Sequence, residues 1–161
     1  MKAKPLPSQE LLLSLFDYSI ITGKLYRRST GTEAGWFQKT NGYRMVEVRK
    51  HGKFLVHRII WKMVTGEDAP FIDHEDLHKT RNWWLNLRDC TKTENQGNRN
   101  ARRDSKSGRK GIHWDGSRDR WIVAIQKGSV RSMRRTKTLA AAIAYHRLRS
   151  AEMYGEFARS S

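Results

Sequence analysis

The chain has 161 residues, with 32 Lys and Arg against 16 Asp and Glu, a formal net charge of +16 and a hydrophobic share of 37%. That length allows one ordinary domain or two small ones with modest cores, and the basic excess favours a polyphosphate partner, because each neutralised phosphate releases condensed counterions. One cysteine, Cys90, excludes an intramolecular disulfide and a multi-cysteine zinc knuckle, and reads as a small buried residue.

Met1-Lys2-Ala3-Lys4-Pro5 and the run Leu11-Leu12-Leu13 are too short and too polar in their surroundings for a signal or a membrane span, so a cytoplasmic protein is expected. Ser8 can cap a short helix on which Leu11, Leu12, Leu15 and Phe16 recur at helical spacing. Two strand-like pieces follow, residues 23–27 and 43–49, with the turn residues Asn41-Gly42 and His51-Gly52 around the second. In the second piece Tyr43, Met45 and Val48 alternate imperfectly with charged residues, as a half-buried hairpin strand would. Val56, Ile59, Ile60, Met63 and Val64 then mark one helix face, which Gly66 can end. Lys24, Arg27, Arg28 and Lys39 read as a solvated basic face that also touches phosphates.

The densest chemistry lies in the middle. Asp73 and His74 place a hard carboxylate beside an imidazole, the pair needed to grip a cation while a base takes a proton from water. Adjacent residues of a flat strand point to opposite faces, so the segment is expected to twist or bend at this pair. Thr91 and Glu94 have the spacing of a capping box, which starts a helix and puts Asn95 just past its first turn. The Asn95 amide oxygen is a neutral, hard ligand suited to magnesium. Trp83, Trp84, Leu85 and Leu87 are expected to pack the hairpin against the helices, with base stacking as the alternative for the tryptophans.

From Arg99 to Lys106 the chain is rich in Arg, Asn and Ser, as a basic linker would be. Beyond it, residues 112–114, 120–125 and 129–136 read as three strands. A helix beginning near Thr138 carries Ala140, Ala144, Leu148 and Ala151 at spacings of three and four, and Gly155 can end it. Three strands against one amphipathic helix is the simplest arrangement.

Two resemblances rest on these residues. The segment from Ile72 to Asn98, IDHEDLHKTRNWWLNLRDCTKTENQGN, resembles the core of the HNH, or ββα-metal, endonucleases of phage and intron-homing type, in which a hairpin and a helix clasp one divalent ion. The resemblance implies that His74 is the general base, that Asp73 and Asn95 bind the metal, and that Asn86 pins the loop by hydrogen bonding across it. The chain departs from the family at Leu77, where glycine is common, and at His78, where an acidic residue is common, which implies a differently shaped hairpin loop. The region through Val56-His57-Arg58 resembles the strand that precedes such cores. There His57 reads either as a structural histidine or as one approaching the scissile phosphate with Arg58.

The second resemblance is to the Apetala-type domain of ethylene-response factors, also found as an appendage on phage HNH endonucleases. Ser107-Gly108-x-Lys110-Gly111-Ile112-x-Trp114, Arg120-Trp121 and Tyr154-Gly155-Glu156-Phe157-Ala158 carry it. It implies a sheet lying in the major groove, with Arg109, Trp114, Arg118, Arg120, Trp121 and Arg131 on DNA, although Trp114 and Trp121 also read as braces between sheet and helix. The third strand, residues 131–135, lacks the usual glycine-aromatic ending.

The expected fold is α+β: a small ββα-metal module preceded by strands and a helix, and followed by a three-stranded sheet on one helix. Its parts are residues 1–66 as support, 67–98 as the nuclease core, 99–106 as linker and 107–161 as the DNA-binding domain. The expected activity is metal-dependent hydrolysis of one phosphodiester in double-stranded DNA, with magnesium, or manganese in its place. No membrane or protein partner is expected, and a monomer would nick; if phage-encoded, it would work in the host cytoplasm. Two other classes fit the charge: a DNA-binding regulator with an inactive nuclease core, and a basic RNA-binding accessory protein.

Overall fold

A computed structural model describes residues 4–97 and 105–158, so residues 99–104 of the expected linker lie outside the described residues. The chain divides into two compact units, Met1–Asp89 and Cys90–Ser161. Each combines helices with small antiparallel sheets, and the fold is α+β.

In the first unit, α1 (Gln9–Leu15) begins at Ser8, whose hydroxyl accepts a hydrogen bond from the Leu11 amide at 3.3 Å. Phe16, expected on the helix, is already extended and opens β1 (Phe16–Ser19), which pairs with β2 (Lys24–Arg27). A second sheet has the order β3 (Trp36–Gln38), β4 (Tyr43–Val48), β5 (Gly52–Leu55). On β4 the buried positions are Val46 and Val48, not the alternation of Tyr43 and Met45, because the register sets Val46 opposite Phe54 on the core side. The strand ends at Leu55, so Val56, His57 and Arg58 open α2 (Val56–Thr65) and do not close a strand. Gly66 ends α2 in the left-handed conformation, with φ of 79°.

The last elements of this unit are β6 (Ile72–His74) and β7 (Leu87–Asp89), an antiparallel pair only three residues long. So short a ribbon is not stable alone in water. It is held because Ile72 and Leu87 enter the core formed by Leu12, Phe16, Leu25, Val46, Phe54, Ile59 and Ile60. Trp84 packs its ring on Trp61 of α2, with centroids 5.0 Å apart. Leu85, expected in the packing, is instead 88% exposed, since the short 3-10 turn Trp84–Asn86 points it away while burying Asn86.

In the second unit, α3 (Lys92–Gly97) starts with a closed capping box: the Thr91 amide donates to Glu94 Oε2 at 2.8 Å and the Glu94 amide to Thr91 Oγ1 at 3.2 Å. Strands β8 (Ile112–Asp115), β9 (Arg120–Lys127) and β10 (Val130–Thr136) form an antiparallel sheet in the order β10, β9, β8. Helix α4 (Leu139–Tyr154) covers one face of it, capped by Thr138, whose hydroxyl accepts from the Ala141 amide at 3.2 Å. The stripe Ala140, Ala144, Leu148 and Ala151 faces outward, contrary to its spacing. The helix packs instead through Ala142 and Tyr154, with Leu139, Ile143, Tyr145 and Met153 partly buried around Val123 and Ile125, because the larger side chains bury more area per contact than alanines do. Among the described residues no helix is long and apolar enough to cross a membrane.

Gly23 and Gly31 share a φ of +68°, but their surroundings differ: a Cβ on Gly23 would run into the backbone of Asn82 and Trp83, whereas one on Gly31 would meet nothing within 4 Å. Gly31→Ala should therefore cost only about 1 kcal/mol, the strain of a left-handed L-residue. Gly23→Ala should cost more than about 2 kcal/mol, because rigid backbone cannot yield. Denaturant titration of both variants checks this, and equal costs would mean that the first hairpin does not press on the Asn82 segment.

Candidate active site

His74 ends β6 on the side of the ribbon that carries Ile72 and Leu87, and it is buried. Its Nε2 lies 2.8 Å from Oδ1 of Asn82. An amide oxygen only accepts, so Nε2 carries the proton and Nδ1 is the basic nitrogen. The His57 ring of α2 meets the imidazole edge-on, with centroids 5.0 Å apart and planes at 86°. Tyr43 from β4 closes the cluster, 5.1 Å from His57 and 6.0 Å from His74, and carries Lys79 Nζ over its ring at 4.8 Å. Asn82 is itself held in place. Tyr18 donates its hydroxyl to the Asn82 carbonyl oxygen at 2.9 Å, and burial pushes the Tyr18 hydroxyl up to about 12, so it stays a donor.

Burial dominates the titration of both imidazoles. Desolvation lowers His74 below the ordinary histidine value, opposed by its bond to Asn82 and by the charges of Asp73 and Asp76. His57 is driven well below it, by desolvation first and then by His74 and Arg58. Both rings are therefore neutral near pH 7.

The bend expected at Asp73-His74 is absent from the ladder. Asp73 pairs with Arg88 and His74 with Leu87, and the chain turns only after His74, where the Leu77 amide donates to the His74 carbonyl at 3.0 Å. The reason is that each residue already has a cross-strand neighbour on its own face. Asp73 thus lies on the face opposite His74. Its Oδ2 accepts from Arg88 Nε at 3.2 Å and Nη2 at 2.9 Å.

Asn86 bridges the loop that leaves β6. Its Oδ1 accepts from the Asp76 amide at 3.0 Å, and its Nδ2 donates to Asp76 Oδ1 at 2.9 Å and to the Arg81 carbonyl at 2.7 Å. Within that loop Leu77 has φ of 65°, a left-handed backbone at a position where the resembled family commonly has glycine. Asn95 lies on α3, in the second unit. Of the two expected metal ligands, one is a carboxylate and the other a neutral amide, a hard-oxygen set that suits a magnesium ion keeping most of its waters. Among the described residues no three His, Cys, Asp or Glu side chains come together as a metal-holding group.

Of the residues expected on DNA, the two tryptophans and two of the four arginines fall on opposite faces of the second sheet. Trp114 and Trp121 pair across β8 and β9, their rings 5.1 Å apart, on the face toward α4, and Trp121 braces the core there. Arg120 and Arg131 lie on the opposite face. Arg118 stands in the turn, paired with Asp115 at 3.2 Å, and Arg109 precedes β8, its carbonyl accepting from Ser107 Oγ at 3.1 Å. Arg135 shares the outer face with Arg131, which the alternation of β10 could have revealed.

No family model matches this chain, and no curated protein matches it. Among solved structures, one described as "DNA binding and cleavage by the HNH homing endonuclease I-HmuI" is similar to it, with 19% sequence identity and a TM-score of 0.42, covering 86% of this chain and 84% of that chain.

Sequence reasoning left Arg88 and Tyr43 out of the site and read His57 either as structural or as approaching the scissile phosphate. Arg88 and Tyr43 carried no local signal, since their partners come from other strands. His57 had one: a polar residue on the buried stripe of α2. Its neighbour Arg58 does not point to a substrate, because it donates to the Lys4 carbonyl at 3.0 Å and pairs with Asp68.

Because His57 and His74 have folded-state values below the unfolded one, the unfolded chain takes up their protons first as pH falls. Stability should be complete above about pH 6.5 and decline below it by about 1.4 kcal/mol per pH unit for each proton. Urea denaturation between pH 7.5 and 5 measures the slope, and His57→Phe, which keeps a flat ring and removes one of these protons, should make it shallower.

Proposed function

We propose that this chain is a divalent-metal-dependent DNA endonuclease of HNH type. The observation that carries the reading is His74: a buried imidazole kept neutral, oriented through Nε2 by Asn82, and adjacent in the chain to a buried carboxylate. Asp73 and His74 leave the strand on opposite faces, so in this reading the phosphodiester lies across the end of β6, where the chain turns. In the proposed reaction, Nδ1 of His74 takes the proton of the attacking water, while the Asn82 bond and the edge of His57 keep the ring from turning away. Asp73 and Asn95 would hold a magnesium or manganese ion, which when bound would supply positive charge to the phosphoryl oxygens and the leaving 3′-oxygen. Asn86 keeps the loop after His74 closed. The products would carry a 5′-phosphate and a 3′-hydroxyl, and one such site in a monomer would nick one strand.

In the same reading residues 67–98 are the nuclease core, residues 1–66 support it and residues 107–161 form an Apetala-type DNA-binding module. Duplex DNA would lie on the sheet face that bears Arg120, Arg131 and Arg135. The pair between Asp73 and Arg88 favours a second reading, a DNA-binding protein whose core no longer takes a metal.

Conversion of supercoiled DNA to the nicked form separates the two. Cleavage should need magnesium, stop with EDTA and fall about 10²- to 10⁴-fold in His74→Ala. It should also weaken only as pH drops below 6.5, since His74 must be neutral and burial lowers its titration. A protein that shifts DNA in a gel but never cuts it with magnesium or manganese is the binding protein. For the tail, Arg131→Ala should weaken binding to a specific duplex by about 1–3 kcal/mol if it reads a guanine, whereas loss of a phosphate contact would instead lower the salt dependence uniformly across sequences.

A further inference from the structure

Arg88 holds the carboxylate that the proposed function assigns to a cation, and the hold is built into the fold. Asp73 and Arg88 are register partners on β6 and β7, so their side chains rise from the same face of the ribbon. Their side chains are 7% and 19% exposed, and the guanidinium donates to Oδ2 through Nε at 3.2 Å and Nη2 at 2.9 Å. Within the first unit the ribbon itself is fixed, because Ile72 and Leu87 are embedded in the core on its other face. The pair therefore forms whenever the ribbon forms.

We propose that Arg88 is a built-in competitor for the divalent cation, occupying Asp73 until a cation takes the carboxylate and setting the affinity of that site. This rests on the nuclease reading above. A hard cation and a guanidinium both seek the carboxylate oxygens, and two positive charges a few ångströms apart repel, most strongly where little water screens them. Cation binding must weaken or break the Arg88 bonds. The released guanidinium, with its planar fork of donors, then stands on the metal's side of the ribbon, where a phosphodiester offers matching oxygens. Metal and substrate would in this way favour each other: the cation frees the arginine and the phosphate gives it a new partner.

The test is manganese binding to the full chain without DNA, followed by the EPR signal of free Mn²⁺, for the native protein, Arg88→Gln, Arg88→Lys, Asp73→Asn and the Asp73→Asn/Arg88→Gln double variant. Arg88→Gln should bind Mn²⁺ about tenfold more tightly than the native protein, Arg88→Lys should stay near it, and both Asp73→Asn proteins should lose the site. At saturating Mn²⁺ the Arg88→Gln protein should nonetheless cleave more slowly. Equal or weaker binding by Arg88→Gln overturns the proposal while leaving the nuclease reading standing. Mn²⁺ binding that ignores Asp73→Asn overturns the metal assignment and the proposal with it. Removing Arg88 also leaves a buried carboxylate alone, so thermal unfolding is read alongside: Arg88→Gln should melt lower than the native protein without Mn²⁺ and gain more from its addition. An equal gain in both counts against competition.

Discussion

The hydrogen bond between His74 and Asn82 is the contact on which the rest of the first unit converges. Both residues are buried, which strengthens the bond and makes any loss of it costly. Asn82 is fixed by the Tyr18 hydroxyl and by the close approach of Gly23, so the first hairpin, distant in sequence, acts as the wall behind the imidazole. The other walls are His57 from α2 and Tyr43 from β4. Helix α2 and two small sheets thus serve to desolvate and orient one ring. The same burial that lowers its basicity keeps it in the proton-accepting form at neutral pH.

Polar groups are concentrated around this point at a cost, and several are answered by specific partners, while Arg58 Nε and Trp61 Nε1 are buried without one. Asn86 satisfies the amide and carboxylate of Asp76 and the Arg81 carbonyl, and Arg81 in turn pairs with Asp76 at 3.1 Å. Leu77 accepts a left-handed backbone inside that loop, a strain of roughly 1–2 kcal/mol that the surrounding bonds offset. Arg58 and Asp68 tie the segment after α2 to the N-terminal residues, where Asp68 also accepts from the Leu6 amide at 2.8 Å.

The second unit solves a simpler problem. One helix covers one face of a three-stranded sheet, with Tyr154 donating to the Gln126 carbonyl and Ser132 bonded to Tyr145 at 2.8 Å. Its two tryptophans meet edge to face on the covered side. That leaves Arg120, Arg131 and Arg135 on the other, beside His113, Ile122 and Met133.

Local rules made much of this legible. Ser8, Thr91 with Glu94, Thr138 and Gly66 mark helix ends because capping depends on neighbours within four residues. The Asp73-His74 pair, Asn86 and the basic excess are likewise readable in one dimension. What the sequence determined by itself was therefore the order of elements, the α+β class and the identity of the chemical groups. Tertiary structure alone decided which faces those groups occupy: Ala140 to Ala151 turned outward because Tyr145, Met153 and Tyr154 offered more area to bury, and Phe16 left its helix to enter a strand. It also decided the partners of the site, Arg88 for Asp73 and Asn82, His57 and Tyr43 for His74. Those contacts join residues up to dozens of positions apart, and only the closing of a shared core selects them.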